Sequence, residues 1–273
     1  MPTLRTHAAE LHYDDRGQGD AVVLLHGLGS STLDWEPQLA ALAPRYRAIA
    51  IDMRGSGRSR DLAHAAGPFS VAMFAADVAA VIDHLGVAPA HVVGLSMGGM
   101  VAFQLALDQP HAVRTLTIVN SGPSLVPRTA KQRAVLALRL VLARTIGPRG
   151  MAKLLAPKLF PRDAALRATF LARMASNDKR AYAATQRALV GFDVSAHLAE
   201  IEVPALIVAA DQDYTPLAYK QAYARRMPDA RVACIADARH ALPHEEPEKL
   251  QPVLDAFLAE HSRKDGQDHV ASR

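Results

Sequence analysis

A serine stands between two glycines in the segment Gly94-Leu95-Ser96-Met97-Gly98. An apolar run precedes the segment, and the residues after it have the spacing of an amphipathic helix: Val101, Phe103, Leu105 and Leu107. The pattern predicts a strand, a sharp turn and a helix, with Ser96 at the turn. Such a strained turn requires small residues two positions before and after the serine. At a helix N-terminus, free backbone N–H groups would stabilise negative charge that develops beside the hydroxyl.

A serine hydroxyl is a poor nucleophile at neutral pH unless a neighbouring base removes its proton. The chain has 12 histidines, so the mere presence of one indicates little. His240 is the favoured candidate because it follows the last predicted strand, and α/β sheets place active groups at the carboxyl ends of strands. His26 and His244 are the competing candidates for the base.

A carboxylate that orients the histidine is also expected after a strand. Asp211 and Asp213 both follow the apolar run 206–210, so both remain candidates. Either aspartate gives the chain order serine, aspartate, histidine, which is one of the known orders for such a group.

These residues need a scaffold, and strand and helix patterns alternate along most of the chain. The alternation predicts an α/β fold: a mostly parallel sheet of eight strands with helices on both faces. From about residue 123 to residue 195 only helical patterns occur. We therefore expect a core formed by residues 1–122 and 196–261, an inserted helical lid at 123–195 and a disordered polar tail at 262–273.

The composition is that of an ordinary globular protein: 273 residues, of which 50% are hydrophobic and 21% charged. The single cysteine, Cys234, excludes an internal disulfide and leaves too little thiol for a cysteine-based metal site. It lies in a predicted strand, where we expect a buried, inert thiol. The first residues have no apolar export signal, and no stretch reaches the roughly 20 apolar residues that span a bilayer. We expect a cytoplasmic protein without metal or cofactor.

The net charge of +4 conceals an asymmetry. Residues 122–196 hold 14 lysines and arginines against three aspartates, a local charge of +11, and the remainder of the chain carries −7. A solvated helix face is the simplest interpretation, and an anionic substrate or an anionic membrane surface are the alternatives. No nucleic-acid recognition motif accompanies the charge, and we expect neither nucleic acid binding nor stable membrane association. The oligomeric state stays open.

Several motifs occur together in an order typical of one family. They are His26-Gly27, Asp52-x-Arg54-Gly55-x-Gly57-x-Ser59, Gly94-x-Ser96-x-Gly98-Gly99, Phe192-Asp193, Ile201-x-Val203-Pro204, and His240 with Glu245 and Pro247. Over about residues 4–260 the chain resembles the α/β-hydrolase fold family. Two positions depart from the family pattern, because Ala210 and Arg239 stand where glycine is common.

The resemblance implies a role for each candidate. Ser96 would be the nucleophile, His240 the base and Asp213 the acid, and the proline at position 216 resembles the one that usually follows the acid. The backbone N–H groups of Leu28 and Met97 would form the oxyanion hole.

Three further residues are candidates for substrate binding: His26, Gly27 and Trp35. His26 is expected to order the oxyanion loop rather than act as the base. Trp35 could line the mouth of the pocket or simply pack. The lid is expected to cover Ser96 with its apolar face while its arginines face water.

These residues predict hydrolysis of a small carboxylic ester or lactone through an acyl-enzyme. Serine rather than aspartate at the turn argues against the chemistry of haloalkane dehalogenases and epoxide hydrolases, which in this family need a carboxylate nucleophile. The alternatives are cleavage of a carbon–carbon bond, a perhydrolase reaction on the same residues, or a receptor or regulatory protein with slow turnover.

Overall fold

The computed structural model describes residues 2–62 and 68–262. All but one residue of the expected tail, 262–273, lie outside this part of the chain. Within it, nine strands form one mixed sheet: β1 (Thr3–Arg5), β2 (Ala9–Arg16), β3 (Ala21–Leu25), β4 (Arg47–Ile51), β5 (Arg60–Asp61), β6 (Ala90–Leu95), β7 (Val113–Val119), β8 (Ala205–Ala210) and β9 (Ala230–Ile235).

The strand order is β1-β2-β4-β3-β6-β7-β8-β9, and β5 pairs with β2. Strands β3, β4 and β6–β9 are parallel, whereas β2 is antiparallel to both β1 and β4. The α/β class and the mostly parallel sheet are confirmed, but the expected number of eight strands is wrong by one. The additional strand is β5, which has two residues. Two residues are too few to show an alternating pattern, so the sequence carried no signal for it.

Helices cover both faces of the sheet. They are α1 (Glu36–Leu42), α2 (Val71–Leu85), α3 (Met97–Asp108), α4 (Ala130–Thr145), α5 (Gly147–Leu159), α6 (Ala164–Ala175), α7 (Lys179–Leu189), α8 (Leu217–Ala224), α9 (Leu242–Glu245) and α10 (Pro247–His261). Four of them, α4 to α7, follow one another between β7 and β8 without an intervening strand. No helix in the described ranges is long and apolar enough to cross a membrane.

Each face of the sheet has its own apolar core. Phe74 of α2 and Phe103 of α3 are fully buried on one face, and Leu39 of α1 and Leu254 of α10 are fully buried on the other. Burying such a side chain stabilises the folded state by roughly 1.5–3 kcal/mol. Strand β6 is buried along its whole length between the two cores. The packed layers therefore hold the carboxyl ends of β6, β8 and β9 at one edge of the sheet.

Strand β9 is the last strand of the sheet, and its position corrects one expectation. Cys234 lies on this strand and is exposed, not buried. An edge strand has a neighbour on one side only, so side chains with a strand-like pattern need not be covered there.

Candidate active site

Ser96 occupies the turn between β6 and α3 with a φ of 52°. A positive φ is uncommon for a residue other than glycine, and the surrounding structure must hold it. The Ser96 N–H donates to the Val119 carbonyl at 3.0 Å. A Cβ atom on Gly94 would collide with the Gly98 backbone, and one on Gly98 would collide with the Leu25 carbonyl. The backbone approaches so closely here that both glycines are required.

Three side chains from the loops after β6, β8 and β9 form a continuous hydrogen-bonded chain. Ser96 Oγ lies 2.9 Å from His240 Nε2, and His240 Nδ1 lies 2.8 Å from Asp213 Oδ1. The Asp213 side chain is fully buried and that of His240 is 13% exposed. When Nδ1–H donates to the carboxylate, Nε2 is free to accept the Ser96 proton. This geometry suits activation of the serine.

Asp211, the other candidate acid, has a different partner. Its Oδ1 accepts the Ala238 N–H at 3.1 Å, and this hydrogen bond is the main cause that lowers the pKa of Asp211. Of the two aspartates, it is Asp213 that the structure brings to His240.

The second oxygen of Asp213 contacts a buried lysine that the sequence analysis did not single out. Lys220 of α8 is fully buried, and its Nζ donates to Asp213 Oδ2 at 2.6 Å and to the Thr215 carbonyl at 2.9 Å. The Thr215 hydroxyl also donates to Oδ2. Burial alone would raise the pKa of Asp213, but the hydrogen bonds from His240, Lys220 and Thr215 outweigh it and lower the pKa to about 2. Asp213 is therefore a carboxylate at any physiological pH.

Asn120 holds the loop that carries the histidine, and sequence reasoning also missed it. It follows β7 with a φ of 46°. Its Nδ2 donates to the carbonyls of Arg239 and His240 at 3.0 and 3.1 Å, and its Oδ1 accepts the Ala210 N–H at 2.9 Å. One side chain thus ties the loops after β7, β8 and β9 together. An asparagine directly after a buried strand is the sequence signal that could have drawn attention to it.

Tyr214 lies against the histidine from the cavity side. Its ring centroid is 4.1 Å from that of His240, and its hydroxyl oxygen is 2.6 Å from Nε2. Tyr214 is 66% exposed and lines the cavity. A tyrosine hydroxyl is neutral at physiological pH and can donate. Because Nε2 has one lone pair, the hydroxyls of Tyr214 and Ser96 compete for it.

The two expected oxyanion donors border the cavity next to the serine. Met97 is the first residue of α3, where a backbone N–H has no partner inside the helix. Leu28 follows Gly27, and a Cβ atom on Gly27 would lie 3.6 Å from that of Ser96. Leu28, Met97 and Gly27 all line the cavity. Their roles in binding remain predictions.

His26 and Trp35, which the sequence suggests for substrate binding, do not line the cavity. Both are fully buried. His26 Nε2 accepts the Met53 N–H at 3.0 Å, which leaves Nδ1–H to donate to the Gly27 carbonyl at 2.7 Å. With both ring nitrogens engaged, His26 orders the Gly27 loop and cannot act as the base. Trp35 packs with Leu39 of α1 on the other face of the sheet.

A cavity of about 290 Å³ lies between Ser96 and the helices α4–α7. Its wall is mostly apolar and includes Leu155, Phe170 and Met174 from those helices. His244 also lines it, and burial is the main cause that lowers the pKa of that histidine. One basic side chain departs from the expectation that arginines of this region face water, because Arg139 of α4 lines the cavity as well.

No group of three histidine, cysteine, aspartate or glutamate side chains among residues 2–62 and 68–262 has an arrangement that could hold a metal ion.

Comparisons with known proteins agree with this architecture. The sequence model of the alpha/beta hydrolase fold matches residues 20–247. A protein of Azorhizobium caulinodans named "Putative carbamate hydrolase RutD" is 34% identical over 271 residues, which cover 95% of this chain and 99% of that protein.

Two solved structures superpose closely. An enol-lactonase from Burkholderia xenovorans has a TM-score of 0.86 and 27% identity, and the match covers 94% of this chain and 100% of that one. A thermophilic esterase from Thermogutta terrifontis has a TM-score of 0.87, with 96% of this chain and 100% of that one covered. Its identity is 24%, so this second likeness concerns the fold alone.

Proposed function

This chain belongs to the alpha/beta hydrolase fold family, and we propose that it hydrolyses carboxylic esters or lactones through an acyl-enzyme on Ser96. The observation that carries the proposal is the hydrogen-bonded chain of Ser96, His240 and Asp213, with donor–acceptor distances of 2.9 and 2.8 Å. That sequence of contacts is what an activated serine nucleophile requires.

The reaction begins when Ser96 Oγ attacks the substrate carbonyl and His240 Nε2 takes its proton. Asp213, which pairs with Lys220 through its other carboxylate oxygen, stabilises the imidazolium that forms. The N–H groups of Leu28 and Met97 receive the oxyanion, and each such donor contributes on the order of 3 kcal/mol. His240 then protonates the leaving oxygen. A water molecule, activated by the same histidine, releases the acid.

The helical segment 123–195 acts in this proposal as a cap over the reacting atoms. Leu155, Phe170 and Met174 from the cap face Ser96 across the cavity. Their apolar surface excludes water from the acylation step and accommodates an apolar acyl group. A volume of about 290 Å³ leaves room for a small substrate, not for a long lipid chain.

Carbamate hydrolysis is the second candidate, favoured by the 34% identity to the protein named as a carbamate hydrolase. The same residues could attack a carbamate carbonyl. The carbamoyl-enzyme would turn over more slowly than an acyl-enzyme, because the nitrogen lone pair makes its carbonyl less electrophilic.

The test compares p-nitrophenyl esters, lactones and carbamates on wild type, Ser96→Ala and the control Ser176→Ala. Ser176 is exposed on the cap and outside the cavity. We expect Ser96→Ala to lose at least about a thousandfold in kcat on the preferred class while it remains folded. The control should keep wild-type activity, and a fluorophosphonate should label Ser96 alone. Near-normal turnover by Ser96→Ala would refute the proposal, and faster turnover of carbamates than of esters would favour the second candidate.

The same panel separates the remaining alternatives. A carbon–carbon bond hydrolase would release a ketone from a β-diketone faster than it cleaves esters. A slow-turnover receptor would retain ligand with negligible product release.

A further inference from the structure

The cavity above Ser96 contains few charges, and most of them are neutralised within the protein. Asp213 is paired with Lys220 at 2.6 Å. Asp34, in the cavity wall, is paired with Arg173 at 2.8 Å. Both pairs therefore leave no net charge for a substrate to meet.

Apart from the reacting His240, two basic groups of the described residues remain in the wall. His244 is kept neutral at neutral pH, because burial lowers its pKa. Arg139 is half-buried, and within residues 2–62 and 68–262 it has no ion pair and no side-chain hydrogen bond. Arg139 lines the same cavity as Ser96 and His240. Among the described residues, the cavity wall therefore carries one permanent positive charge that no carboxylate of the protein compensates.

The position of Arg139 on its helix explains why it faces inward. Ala143 lies one helical turn further along α4 and is fully buried in the cap core beside Tyr182. Side chains four residues apart share a helix face, so Arg139 projects toward the cavity. Arg133, on the same helix, is exposed and lines no part of the cavity.

We propose that Arg139 binds a carboxylate carried by the substrate at the end remote from the scissile carbonyl. This inference rests on the proposed ester cleavage at Ser96. A guanidinium presents two parallel N–H donors to a carboxylate, and a partly desolvated site strengthens that contact. A single uncompensated cation matches a single negative charge. The substrate class is therefore an ester or lactone with one carboxylate separated from the reacting carbonyl by an apolar linker.

The kinetic test uses two substrates that differ only in the terminal group, mono-p-nitrophenyl adipate and p-nitrophenyl hexanoate, at constant ionic strength. In Arg139→Met the ratio of kcat/KM for the adipate ester to that for the hexanoate ester should fall at least about tenfold. Arg133→Met removes the same charge from the exposed side of the same helix. That control should change the ratio by less than about twofold. An equal fall in both variants would overturn the proposal, because it would indicate steering by the overall charge.

A binding measurement does not depend on turnover. Ser96→Ala is titrated calorimetrically with monomethyl adipate and with methyl hexanoate, alone and combined with Arg139→Met. The second substitution should weaken the binding of monomethyl adipate at least about tenfold relative to methyl hexanoate. Unchanged relative affinity would overturn the carboxylate site even in an active esterase. Selective adipate binding by a protein that cleaves no ester would contradict the proposed function and leave the site standing.

Discussion

The substitution Lys220→Met tests how the buried carboxylate of Asp213 is kept ionised. Methionine retains an unbranched chain of similar length but removes the counter-ion 2.6 Å from Oδ2. Both side chains of the pair are fully buried. Removing one partner of such a pair costs roughly 3–5 kcal/mol, because the other charge is left uncompensated. We expect the free energy of unfolding at pH 8 to fall by about that amount, a large part of the roughly 5–15 kcal/mol of a typical domain.

The pH dependence of this loss provides a second readout. In the wild type the pKa of Asp213 is about 2, below its ordinary value of 3.8. This lowering corresponds to a stabilisation of the folded state by about 2 kcal/mol when Asp213 is ionised. That stabilisation is present above about pH 4 and is lost as the pH falls toward 2. In Lys220→Met the pKa of Asp213 rises, so protonation relieves the cost of the buried charge at a higher pH. The difference in stability between wild type and variant should therefore shrink from pH 8 to pH 4.

Urea unfolding at several pH values measures both effects. Lys153→Met is the control, because Lys153 of α5 is exposed and has no ion pair among the described residues, so its loss should change stability by less than about 0.5 kcal/mol. Asp213→Asn completes a double-mutant cycle. If Lys220→Met cost the same with asparagine at position 213 as with aspartate, lost packing rather than lost charge would explain the effect. That result would refute the electrostatic reasoning.

Two further predictions concern the neighbouring polar groups. Tyr214→Phe removes the hydroxyl that competes with Ser96 for His240 Nε2. We therefore expect kcat/KM for a p-nitrophenyl ester to rise about two- to tenfold, which corresponds to the net free energy of one hydrogen bond. A tenfold fall in kcat/KM would contradict this prediction. Burial lowers the pKa of His91 to about 4 from 6.5, so the free energy of unfolding should fall by up to about 3 kcal/mol between pH 6.5 and pH 4. His91→Gln should flatten this dependence in urea titrations, and an unchanged slope would show that other groups cause it.

The sequence predicted the parts of the fold and of the candidate site that local patterns encode. The turn at Ser96 is predictable because its glycines lie within two residues of it and the strand and helix adjoin it. The choice between Asp211 and Asp213 was not predictable in this way. The two residues share a loop, and their partners, Ala238 and Lys220, come from other elements. Residue type and spacing place such side chains near the site, and tertiary contacts decide their partners.

The two basic residues Lys220 and Arg139 show what helical spacing can explain and what it cannot. Lys220 shares a face of α8 with the buried Tyr223 and Ala224, just as Arg139 shares a face of α4 with the buried Ala143. Once the buried face of each helix is known, helical spacing explains why each charge points inward, against the usual preference of lysine and arginine for water. The sequence alone did not show which face is buried. The group that each charged side chain contacts comes from a distant part of the chain. Lys220 meets Asp213, and its charge is satisfied within the protein. Arg139 meets a cavity, and so its charge remains available to a substrate.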